Sequence, residues 1–138
     1  MTRQEVVATL GEDANPNAVG GPDPEQCDQF RSERAPAGML VMIEQGRLTR
    51  ITVSAAGVET EGGIAVGDSA SAIRRSFGSN VVSTPHKYWP APAEYLTVWT
   101  VEPPATEAKG VVYEVGEEGR VVHIHAGGPS IQYLEGCL

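Results

Sequence analysis

The residues predict an α+β fold: two tandem helix-plus-antiparallel-sheet units forming one compact layered domain. Two observations carry this expectation. The phrase Thr2-Arg-Gln-Glu-Val-Val-Ala-Thr-Leu-Gly11 returns as Ser69-Ala-Ser-Ala-Ile-Arg-Arg-Ser-Phe-Gly78, and Gly46-Arg-Leu-Thr-Arg-Ile-Thr-Val53 returns as Gly119-Arg-Val-Val-His-Ile-His-Ala126. Two matches in the same order at nearly equal offsets are the mark of an internal duplication. The segments that follow each helix phrase alternate apolar and polar residues, which gives strands with one buried face and one that can be wet. Helices would then pack on the buried face. The expected units are residues 1–56 and 64–138, joined by a linker at 57–63, within one structural domain.

Each element has a local cause. Thr2 with Glu5 reads as a capping box, which satisfies unpaired N–H groups at a helix start. Val6, Val7 and Leu10 follow at helical spacing, and Gly11 ends the helix. Asn15 to Pro24 is rich in Asn, Pro and Gly and reads as a loop. Cys27 to Ser32 is a weak strand. Met39 to Glu44 and Arg47 to Val53 form a hairpin around Gln45-Gly46. In the second half, Gly67-Asp68-Ser69 caps a helix that carries Ile73 and Phe77 and stops at Gly78. Val81 to Ser83 reads as a short strand, Pro85 to Pro92 as an aromatic loop, and Tyr95 to Val101 as a β-branched strand. Val111 to Val115 and Arg120 to Ala126 repeat the hairpin around Glu117-Glu118-Gly119. Ile131 to Leu134 is expected to be a final strand.

The bulk properties exclude several function classes. The chain has 138 residues, 41% of them hydrophobic and 20% charged, which suits a folded domain with its own core. No apolar run approaches the roughly 18 residues of a membrane span. The net charge of −8, with ten scattered Lys and Arg, argues against nucleic acid, whose phosphates need a basic stripe. It also disfavours an anionic membrane surface. Cys27 and Cys137 read as a disulfide pinning the C-terminal tail to the body; the alternative is two reduced, partly buried thiols. A bridge implies an oxidising compartment, and with it a signal sequence upstream of Met1.

The opening Met1-Thr-Arg-Gln-Glu-Val6, with Leu10-Gly11 a turn later, resembles the start of small bacterial extracytoplasmic domains of the SmpA/BamE type. A tandem pair of such units looks like the fold of the β-lactamase-inhibitor protein, whose two helix-plus-sheet repeats form one concave sheet surface. The resemblance implies a periplasmic or secreted location and non-enzymatic protein binding. No inhibitor contact residue carries over, because no local motif matches.

The segment His86-Lys-Tyr-Trp-Pro-Ala-Pro-Ala-Glu-Tyr95 has no counterpart in the first half. It concentrates Tyr and Trp, which bury large areas while keeping a polar handle and dominate binding hot spots. Pro90 and Pro92 would stiffen it, lowering the entropy lost on binding. The residues expected to meet a protein partner are therefore His86, Lys87, Tyr88, Trp89 and Tyr95. The competing use of Tyr95 and Trp99 is as core. His123 and His125 lie two apart on a strand and so share a face. With His86 they form the alternative site, for a small molecule or metal, but a histidine pair without a spaced third ligand is a weak metal pattern. Arg50 and Thr52 at the matching positions of the first half favour a polar strand face. There is no nucleophile elbow, phosphate loop or prepared carboxylate pair. The sequence thus points to a non-catalytic protein-binding module without cofactor or metal, monomeric or weakly dimeric.

Overall fold

The structure, a computed structural model, describes residues 1–137. Its elements are α1 (Arg3–Leu10), β1 (Cys27–Phe30), β2 (Met39–Glu44), β3 (Arg47–Val53), α2 (Ala70–Phe77), β4 (Val81–Pro85), β5 (Glu94–Val101), β6 (Lys109–Val115) and β7 (Val121–Gly127), with 3₁₀ turns at Gly78–Asn80 and Pro129–Gln132. All seven strands belong to one antiparallel sheet of order β1-β2-β3-β7-β6-β5-β4.

This corrects the expected fold class. Two tandem helix-plus-sheet units do not fit a chain that is mostly one continuous sheet with two eight-residue helices. The seam responsible is the pairing of β3 with β7, from Arg50↔Gly127 to Val53↔Ile124. Gly127 permits it: a Cβ there would lie 2.3 Å from the Thr49 carbonyl, and its φ is +152°. The C-terminal strand expected at Ile131 to Leu134 is also absent, replaced by the 3₁₀ turn. Pro129 starts that turn, and the Arg50 guanidinium donates hydrogen bonds to the Ser130 and Tyr133 carbonyls, which a strand would have spent on a neighbour.

The helices form where their caps predict. Thr2 makes both bonds of the capping box with Glu5, and Ser69 accepts from the Ala72 N–H. Each helix covers one end of the same sheet face. Val6 of α1 packs with Phe30, Val41 and Ile43. Ile73 of α2 packs with Leu96, Tyr113, Val115, Val121 and Ile124. Between them the central strands are left without a helix, which leaves a trough.

The opposite face is covered by the C-terminal segment. Ile131 packs on Tyr95 and Val112, with Trp99 at the margin. Cys137 is joined to Cys27 of β1 by a disulfide across 110 residues.

Candidate functional site

The tail-covered face carries a polar row whose centre is Glu114. Strand alternation places Tyr113 in the core and therefore Glu114 on the other face, where the register sets it opposite His123. The same face receives His125, paired with Val112 on one side and Thr52 on the other. His86 arrives from the loop after β4. The Glu114 carboxylate thus meets three imidazoles: His86 Nε2 at 3.0 Å, His123 Nδ1 at 3.2 Å and His125 Nε2 at 3.9 Å. The last distance is beyond hydrogen-bond reach, so that contact is purely electrostatic. His125 spends its Nδ1 on the Thr52 hydroxyl at 2.8 Å.

This crowd holds the Glu114 carboxyl well below the usual carboxylate range. His123 contributes most, followed by His125 and, more weakly, His86, against burial that acts the other way. His125 is shifted down from the usual imidazole value, first by burial and then by the charges of Arg50 and His123. Arg50, itself buried, is lowered by its own burial and offset by Glu44 and Glu114.

His86 explains the shape of the aromatic loop. Its side chain is 2% exposed. The backbone N–H groups of Tyr88 and Trp89 both donate to its Nδ1, at 3.1 and 3.2 Å. An Nδ1 that accepts twice carries no proton, so hydrogen bonding assigns the proton to Nε2, which donates to Glu114. The ring is stacked between two aromatics, 4.5 Å from Trp89 at 13° and 4.7 Å from Tyr95 at 19°. Both nitrogens and both faces of His86 are therefore occupied by the protein itself.

The five residues expected at a partner surface divide into two layers. Tyr95 and His86 are buried, at 8% and 9% exposure, while Tyr88 and Trp89 stand out at 57% and 39%. Lys87 is also at the surface, where its ammonium lies 5.2 Å above the Tyr88 ring and 3.3 Å from Glu135. The Tyr88 hydroxyl donates to the same Glu135 carboxylate, which ties the loop to the disulfide-anchored tail. Of the alternative trio, His123 and His125 flank one carboxylate together, their rings stacked 6.1 Å apart, while His86 has no free nitrogen. Among the described residues no three His, Cys, Asp or Glu side chains stand in metal-holding geometry. The arrangement is suited to positioning: a buried carboxylate fixes an imidazole, and the imidazole fixes a loop.

Sequence reasoning missed Glu114 and Arg50. The hairpin turn at 116–119 does not by itself announce Glu114: it sets Val115 opposite Val121, and a β-bulge between Glu114 and Val115 then shifts the register to pair Glu114 with His123. Arg50 belongs to the polar strand face that the sequence predicts, but it is buried beneath the tail, whose course no local pattern encodes.

Comparison with known proteins bears on the fold. A DUF4309 family protein (YjgB) from Bacillus subtilis superposes with a TM-score of 0.55 at 16% identity, over 92% of this chain and 78% of that one. An extracellular protein containing an SCP domain from Bacillus anthracis superposes with a TM-score of 0.58 at 9% identity, over 93% of this chain; the chain spans only 43% of that protein. At these identities the likeness is one of fold alone. No family model and no curated protein matches the chain.

Proposed function

We propose that the protein is a non-catalytic, extracytoplasmic binding module whose contact surface is the Tyr88–Trp89 platform. One observation carries the reading: two large aromatics are exposed on a loop whose backbone is held from below by a buried, fully hydrogen-bonded, doubly stacked histidine. Exposed aromatics on a mobile loop would lose much of their binding energy to ordering, and here that cost is met during folding. Lys87 lies over the Tyr88 ring and is paired with Glu135, so it stiffens the platform rather than offering a free charge to a partner. The disulfide supports an oxidising compartment, and the description of one structural neighbour as extracellular agrees with it.

The test is substitution at the platform with the fold intact. Tyr88→Ala/Trp89→Ala should abolish reversible capture of the partner from an envelope or secreted fraction while the circular dichroism spectrum stays that of the wild type; the melting temperature should fall modestly, because Trp89 stacks on His86. Alanine at hot-spot aromatics typically costs about 2 kcal/mol or more, at least a thirtyfold loss of affinity. Unchanged capture by the doubly substituted protein would sink the assignment.

A further inference from the structure

The trough between the helices lies on the other face of the sheet from the platform. It is a cavity of about 440 Å³ with an aliphatic floor that includes Ile51, Val98, Val111 and Ala126. Segment 58–62 forms one wall and is fixed in two places. The Thr60 hydroxyl is hydrogen-bonded to the buried Tyr113 hydroxyl at 2.8 Å, and Gly62 sits so close to Phe77 that a Cβ would lie 2.4 Å from the ring. The volume falls within the range of roughly 300–1,000 Å³ of small-molecule sites. Its volume and aliphatic floor suit a slender apolar chain.

Charge then selects the head group. The wall carries Glu59 and Glu61, both exposed; none of the trough's own lining residues is basic, and Lys109 lines the adjoining cavity that Glu61 shares, which leaves the carboxylates in excess. Neither carboxylate has an ion-pair partner among the described residues. The chain as a whole has a net charge of −8. An apolar molecule with an anionic head would be repelled at the mouth and one with a cationic head attracted.

We infer that this trough binds one molecule of a single-chain amphiphile, its tail on the aliphatic floor and its cationic head at Glu59 and Glu61. Titration calorimetry of the full chain with dodecyltrimethylammonium, dodecyl maltoside and dodecyl sulfate, each below its micelle-forming concentration, tests it. The expected result is saturable one-to-one binding of the cationic and neutral compounds, with the sulfate weaker than the cation by about tenfold or more. Glu59→Gln/Glu61→Gln should erase the head-group preference but keep binding of the maltoside. Ala126→Trp, which fills the trough, should abolish binding of all three; Ala126→Leu serves the same purpose if the tryptophan variant does not fold, as judged by circular dichroism. The inference is overturned by the absence of saturable binding, by binding undiminished in the filled variant, or by a sulfate that binds as tightly as the cation. None of these outcomes touches the platform, because the two sites lie on opposite faces.

Discussion

Glu114 acts chiefly on His86, the one of its three histidine neighbours that is fully buried. The His86 Nε2–H is buried and its acceptor is the Glu114 carboxylate. In Glu114→Ala that donor is left unsatisfied, which costs about 1–3 kcal/mol. The loop should loosen with it: amide exchange at Tyr88 and Trp89, whose N–H groups rest on His86 Nδ1, should accelerate relative to exchange in β2 and β3. Equal protection in the variant would show that His86 is held by packing alone. The same cluster sets a pH dependence. Glu114 is lowered in the folded state, so its stabilising contribution is present above the ordinary value of 4.5 and is lost as pH falls below it. His125 is also lowered, so below its ordinary value of 6.5 the unfolded chain takes up a proton that the folded chain resists. Both effects have one sign: stability falls on acidification, in an upper step beginning near pH 6.5 and a lower one beginning near pH 4.5. Urea titrations across this range should show both steps; the upper one, with a single group, has a slope no steeper than about 1.4 kcal/mol per pH unit, while Glu5, Glu94 and Glu135, also lowered, add to the lower one. His125→Asn should remove the upper one. A flat profile between pH 7.5 and 5.5 in the wild type would contradict the placement of His125.

Among the elements, those with a short-range cause were legible in the sequence. The β2–β3 and β6–β7 hairpins follow from alternation around Gly46 and Gly119, and α1 and α2 follow from Thr2 and Ser69 as caps. The repeated phrases serve similar local ends, since Thr2 bridges to Arg47 and Ser69 to Arg120. What the phrases do not contain is the β3–β7 pairing, because a strand's pattern says which face is buried but not which strand lies beside it. The expectation of two tandem helix-plus-sheet units, rather than one sheet with two short helices, was the cost. The terminal segment was misread for a related reason: Ile131, Gln132, Tyr133 and Leu134 alternate like a strand, but Pro129 and Arg50 decide their backbone. The seam gives a test at this level. Gly127→Ala places a methyl against the Thr49 carbonyl and forces a non-glycine residue to φ +152°. It should destabilise the protein by about 2 kcal/mol or more, shown by a lowered denaturation midpoint. The same substitution at Gly46, which has a positive φ of 79° and open space around it, should cost less.

The molecule as a whole is one sheet with different coverings on its two faces. Helices cover the ends of one face and leave the trough. On the other face the tail seals the polar row, held by Arg50, Ile131 and the disulfide. A crosslink enclosing 110 residues stabilises by about 4–5 kcal/mol in the chain-entropy model. That tail also receives the Tyr88 hydroxyl and the Lys87 ammonium through Glu135, so the platform is braced from two sides. The aromatic segment stood out in the sequence because it is unmatched in the first half, but its division into a buried layer and an exposed layer depends on Glu114, which the sequence reading passed over. Site-specific photo-crosslinking in cells that make the protein puts the binding role to the test. A benzophenone side chain introduced at position 88 or 89 should give a discrete adduct of fixed mass, while the same group at Val19, 86% exposed but remote from the aromatic loop in sequence, should give none. No adduct at 88 or 89, or the same adducts at all three positions, would contradict a binding role for the platform.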